Sequence, residues 1–125
     1  MTDEDNALSR HVIGCAIEVH RHLGPGLLEG AYEDCLCHEM SLRGIAHERQ
    51  VALPVTYKGI NVAGAYCLDI LVERRLILEI KAIDRTTLVH EAQLLTYLRL
   101  SGLQIGLLLN FNHAVLKDGI KRLTL

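Results

Sequence analysis

Asp69 and Glu79 are separated by two short apolar runs on either side of Glu73-Arg74-Arg75, and Lys81 follows two residues after Glu79 in Leu76-Ile77-Leu78-Glu79-Ile80-Lys81. A strand sends alternate side chains to opposite faces, so Glu79 and Lys81 share one face while Leu78 and Ile80 take the other. If Glu73-Arg74-Arg75 forms a three-residue turn, Asp69 falls directly opposite Glu79 on its face. A two-residue turn would set it against Ile80 and point it away. In the first register two carboxylates and an ammonium converge. Carboxylates that close repel one another unless a cation sits between them, and hard oxygen ligands favour magnesium or manganese. A lysine on the same face can orient a water or stabilise charge on a phosphoryl oxygen, which makes metal-assisted phosphodiester hydrolysis the reaction class. A cross-strand salt bridge on a solvated sheet face fits the same spacing.

The elements that must position these groups follow from periodicity. Leu8, Val12, Ile13, Ala16 and Ile17 recur at helical spacing, predicting an amphipathic helix over residues 6 to 22. His22-Leu23-Gly24-Pro25-Gly26 breaks it, and Leu28, Ala31, Tyr32, Cys35, Leu36 and Met40 predict a second helix that stops near Gly44. From Glu48 the texture turns β-branched: a strand through Val51 to Tyr57, a turn at Lys58-Gly59, then strands Val62 to Val72 and Leu76 to Ala82 as an antiparallel hairpin. Thr86 or Thr87 caps a third helix ending at Gly102. Ile105 to Leu109 reads as a strand buried on both faces, and Ile120 to Leu125 as a last strand after Asp118-Gly119. The order ααβββαββ describes an α/β sandwich with a mixed sheet, a single domain over residues 1–125.

Composition agrees with one folded domain. Half of the 125 residues are hydrophobic, and 13 Lys+Arg stand against 15 Asp+Glu for a net charge of −2, which excludes extended disorder. It also lacks the basic excess with which nucleic-acid binders usually announce themselves. No apolar run is long enough for a membrane span, and the acidic start is unlike a signal peptide, so a cytoplasmic protein with reduced thiols at Cys15, Cys35, Cys37 and Cys67 is expected. Cys35, Cys37 and His38 lack the paired spacing of a zinc site and read as packing residues.

With these residues in view, Asp69 and Glu79-Ile80-Lys81 on a hairpin between helices resemble the signature of the PD-(D/E)XK nuclease superfamily. Gly26-Leu27-Leu28-Glu29-Gly30-Ala31-Tyr32 resembles the Gly-x-x-Glu-x-x-Tyr motif of the bacterial GxxExxY proteins, a small branch of it. Glu18-Val19-His20, Tyr57-Lys58-Gly59, His90 to Tyr97, Gly106 to Phe111 and Leu116 to Arg122 resemble that family's pattern in the same order. The resemblance implies a restriction-endonuclease-like αβββαβ core with a mixed central sheet flanked by helices. It implies Mg2+ or Mn2+ held by Asp69, Glu79, the Ile80 backbone carbonyl and Glu29, with Lys81 acting on the attacking water. It further implies supporting roles for Gln93 and Tyr97, a DNA or RNA substrate, and pairing of two copies as a homodimer.

Several of these residues also have plainer readings. A glutamate in a first helical turn is favoured by the helix dipole alone. Gln93 and Tyr97 share a helix face and fit a core edge equally well, Tyr32 fits the core, and His20 fits the end of the first helix as well as a substrate site. Lys58, Arg74, Arg75, Arg85, Lys117, Lys121 and Arg122 are the cations available to a polyanion. A non-catalytic nucleic-acid-binding or regulatory module on a nuclease scaffold would keep the same residues.

Overall fold

The computed structural model describes residues 2–125, apart from the side chain of residue 65. Helix α1 (Asp3–Leu23) starts with a capping box in which Thr2 Oγ1 accepts the Asp5 N–H at 3.1 Å and Asp5 Oδ2 accepts the Thr2 N–H at 3.2 Å. Asp3, Glu4 and Asp5 fill its first turn, favourable against the helix dipole, so it begins before the first apolar residue. Gly24, at φ 67°, ends it. Helix α2 (Glu29–Leu42) follows, then strands β1 (His47–Tyr57), β2 (Ile60–Val72) and β3 (Leu76–Lys81), helix α3 (Leu88–Ser101) and strand β4 (Ile105–Asn110). A single 3-10 turn (Leu116–Gly119) leads into β5 (Ile120–Thr124). The ααβββαββ order expected from the sequence is the order observed.

The five strands lie in the order β1-β2-β3-β4-β5, antiparallel except for the parallel β3–β4 pair that α3 connects. Helices α1 and α2 cover one face: Val12, Cys15, Ala16, Tyr32, Leu36 and Met40 pack with Ile70, Leu78, Ile80, Leu107 and Leu109. Helix α3 covers the other, where Leu94, Tyr97 and Leu98 meet Leu68, Leu71, Ile77 and Leu108. Every residue of β4 is buried, as a parallel strand covered on both faces must be. A glycine makes the α3 contact this close, because a Cβ at Gly106 would stand 2.8 Å from Leu94 Cδ1.

Strands β2 and β3 pair at only three positions, Ile70↔Leu78, Leu71↔Ile77 and Val72↔Leu76. Beyond them β1 and β2 run on together, as a two-stranded ribbon, to Tyr57↔Ile60. The functional residues cluster where the ribbon parts from β3.

Candidate active site

The loop that closes β2 and β3 has three residues, Glu73, Arg74 and Arg75, with the first two in the left-handed region at φ 49° and 54°. One step past the last pair, this register sets Asp69 opposite Glu79. Asp69, however, sits at a break in the strand's alternation. Leu68 and Leu71 both belong to the α3-side core, whereas Ile70 and Val72 belong to the other. Across from Asp69, Gln50 adopts φ 51° and drops out of the β1–β2 pairing, which resumes at Val51↔Leu68. Gln50 and its neighbour Arg49 both reach Glu33 on α2, and two adjacent side chains on one side mark the same slip. A local irregularity of this kind re-aims a side chain. Asp69 Oδ2 consequently enters the gap between the strands and accepts the Ile80 N–H at 2.8 Å, in place of a ladder partner.

Glu79 is only 5% exposed. Its Oε1 is buried without a hydrogen-bond partner. Burial pushes its carboxyl up to about 9, with Asp69 adding to the rise, and Lys81 and the Asp69 main chain pull it back only in part. At neutral pH Glu79 therefore holds a proton beside Asp69. An orphaned buried oxygen is costly, and an acceptor-only pair of this kind suits a hard divalent cation, which would replace the proton. Ile80 offers a further oxygen: Lys81 O bonds the Phe111 N–H on the β4 side, so strand alternation turns the Ile80 carbonyl toward the Asp69 gap.

Lys81 is half-buried at the end of β3 and enters no ion pair among the described residues. Glu29 is the first residue of α2. Its carboxyl is raised by desolvation, lowered by Lys81, and raised again by Asp69 and Glu33, so it lies within electrostatic reach of the centre. Among the described residues no three His, Cys, Asp or Glu side chains converge as a metal-binding group. Tyr97 lies over the site from α3. Burial raises its hydroxyl to about 12, and Glu79 and Asp69 add to that. Its ring meets Tyr66 edge-on at 5.6 Å. Gln93, one turn earlier on α3, is exposed.

Two residues of the expected set lie in the α1–α2 layer. His20 Nε2 is 2.7 Å from the His113 carbonyl oxygen, and its ring packs on Phe111. Tyr32 is fully buried, stacks on Phe111 at 4.5 Å, donates to the Gly24 carbonyl at 2.6 Å and accepts the Leu27 N–H at 3.1 Å. It thus braces the Gly24-Pro25-Gly26 turn that delivers Glu29.

Three supporting residues escaped the sequence reading. Glu33 is buried on α2 and accepts from Arg49 at 2.7 Å and Gln50 at 3.1 Å, which pins the slipped segment of β1. Its spacing of four from Glu29 on one helix face was the available signal. Asn110, fully buried, accepts the Ile83 and Asn112 N–H groups and donates to the Ile83 carbonyl, fixing the chain just after Lys81. Gly119 lies against it: a Cβ there would be 2.1 Å from the Asn110 carbonyl oxygen. Of the candidate cations, Arg74 pairs with Glu48, Arg75 with Glu4 and Asp5, and Lys121 with Glu91, while Arg122 bonds Asn6 and Lys58 lies over the Tyr57 ring.

A mixed sheet between helices, with an Asp and a Glu where a hairpin opens, defines a restriction-endonuclease-like α/β protein. Residues 6–123 match the model of the PD-(D/E)XK nuclease superfamily, and the chain belongs to that superfamily. No curated protein and no solved structure matches it.

Proposed function

We propose that this chain is a metal-dependent nuclease that hydrolyses phosphodiester bonds of DNA or RNA, with Asp69, Glu79 and the Ile80 carbonyl holding Mg2+ or Mn2+. The observation that carries the reading is the buried, unpartnered Glu79 oxygen beside Asp69. When bound, the ion supplies Lewis-acid stabilisation of the phosphoryl oxygen and a more acidic water. The chain's own residues do the rest. The Ile80 N–H ties down one Asp69 oxygen, so that carboxylate is held in place before substrate arrives. Glu79 gives up its proton on loading. Lys81 Nζ orients the attacking water and offers positive charge to the developing phosphoryl charge. Tyr97 excludes solvent from the α3 side, and Glu29 faces Lys81 from the head of α2.

The Gly26-to-Tyr32 segment supports assignment to the GxxExxY branch, with the Tyr32 hydroxyl bracing the turn that carries Glu29. The two cores share one sheet, which supports a single domain over residues 1–125. No helix is long and apolar enough to cross a membrane among the described residues, and we take the site of action to be the cytoplasm. The test is an assay with Mg2+ or Mn2+ over single-stranded, duplex and branched DNA and RNA, comparing wild type with Lys81→Ala. Cleavage by wild type and its loss in the variant is the expected result.

A non-catalytic nucleic-acid-binding module is the second reading. It draws on the absence of a converging three-residue ligand group among the described residues, and equal trace cleavage by wild type and Lys81→Ala would favour it.

A further inference from the structure

Gln50 sits at φ 51°, in the left-handed region that glycine enters freely and a residue with a Cβ enters at a cost. Its side-chain amide is held at both ends. The nitrogen donates to Glu33 Oε1 at 3.1 Å, and the oxygen accepts from the Cys67 thiol at 3.5 Å. Glu33 is a firm anchor from outside the sheet: it is 9% exposed on α2 and takes two further hydrogen bonds from Arg49, at 2.7 and 3.1 Å. Gln50 therefore ties α2 to β2 two residues before Asp69. It does so between the pairs Arg49↔Ile70 and Val51↔Leu68, at the position left out of the β1–β2 pairing.

We infer that Glu33 is a positioning residue of the Asp69–Glu79 centre: through Gln50 it holds β1 in the left-handed conformation opposite Asp69 that turns the Asp69 carboxylate into the gap between β2 and β3. The faces of both strands carry this. A regular strand puts residues 68 and 70 on one face and residue 69 on the other. Here Leu68 belongs to the α3-side core and Ile70 to the α1–α2 core, so Asp69 lies where the strand exchanges faces. The partner strand exchanges at the same place. Arg49 and Gln50 both reach Glu33 on α2, whereas Val51 packs on the α3 side. At this crossover the Asp69 side chain is delivered edgewise to the Ile80 N–H at 2.8 Å. Were Gln50 to relax to ordinary strand geometry, regular alternation would carry the carboxylate onto one face and away from that amide. Glu29 stands four residues before Glu33 on α2, so one helix places both Glu29 and, at one remove, Asp69.

The first readout is the amide proton shift of Ile80 in the metal-free chain, which does not depend on the nuclease reading. In Glu33→Ala and Gln50→Ala that proton should move upfield as its bond to the carboxylate is lost. Gln50→Gly removes the same side chain but accepts the left-handed backbone, so it should keep the wild-type shift, and adding it to Glu33→Ala should restore that shift. A packing or ion-pair role predicts the reverse order, because glycine is the worse substitution within a strand. Gln50 is exposed, so its two variants decide the matter even where Glu33→Ala does not fold. The second readout rests on the proposed function: Mn2+ affinity should fall about 10–100-fold in the alanine variants, as for other residues that orient metal ligands, and change little in Gln50→Gly. An unmoved Ile80 shift in Gln50→Ala or in folded Glu33→Ala, or a Gln50→Gly variant as perturbed as Gln50→Ala, overturns the inference. Shifts in the predicted order in a chain that binds no Mn2+ would uphold the positioning and sink the metal reading instead.

Discussion

The Asp69 carboxylate accepts the Ile80 backbone N–H at 2.8 Å across the opening between β2 and β3. One oxygen therefore both satisfies a buried amide and holds a negative charge against Glu79. Substitutions separate the two effects. Asp69→Asn retains an oxygen acceptor but removes the charge, so the Glu79 carboxyl should titrate below its present value of about 9, yet still above an ordinary carboxyl because burial is the largest cause. Carbon-detected NMR of the glutamate carboxyls reads this directly. Asp69→Ala orphans the amide and should cost about 1–3 kcal/mol in urea unfolding. An unmoved Glu79 titration in Asp69→Asn would mean the two carboxyls are not coupled.

Glu79 also sets a pH dependence. Its carboxyl lies at about 9 in the folded protein against 4.5 for an ordinary glutamate. Between those values the folded chain holds a proton that the unfolded chain has lost. The associated stability is complete below the lower value and is lost as pH rises through the upper one, with a slope of up to about 1.4 kcal/mol per pH unit. The metal-free protein should show a falling urea midpoint from about pH 6 to pH 8.5, with the slope flattened in Glu79→Gln. A rising midpoint in wild type that Glu79→Gln does not change would contradict the burial of a protonated Glu79.

Two glycines should differ in their tolerance of alanine. At Gly106 the obstacle is the end of the Leu94 side chain, which can rotate, so Gly106→Ala should cost about 1–2 kcal/mol. At Gly119 the obstacle is the Asn110 backbone, and the cost should be about 3 kcal/mol, the upper end of overpacking penalties. Because Asn110 fixes Ile83 just beyond Lys81, Gly119→Ala should also lower turnover in protein that remains folded. Paired thermal melts and cleavage assays check both. Equal losses at the two positions would show that the backbone at Asn110 yields as readily as a side chain.

Much of this arrangement was legible in the sequence, for physical reasons. Apolar residues at helical spacing fixed α1 and α2, Gly102 marked the end of α3, and the Asp69–Glu79 register is that of the three-residue turn, one of the two turns the sequence allowed. The slip at Asp69 was not legible. It depends on Gln50 taking a left-handed conformation that its residue type does not demand, held by a buried Glu33 from a different element. The same holds for Tyr32, whose hydroxyl serves the Gly24 turn, and for Gly119, where a turn signal conceals a packing constraint against Asn110. Local pattern reports what a segment prefers; these features arise only when distant segments meet.

On the proposed function, Asp69 and Glu79 form one metal-binding centre whose resident proton leaves on loading. Calorimetric titration of Mn2+ into the chain at about pH 7.5, repeated in two buffers of different ionisation enthalpy, tests it most directly. One ion per chain, binding with release of close to one proton and absent from Glu79→Gln, is the expected result. Binding without proton release, binding that survives in Glu79→Gln, or no binding at all would contradict it.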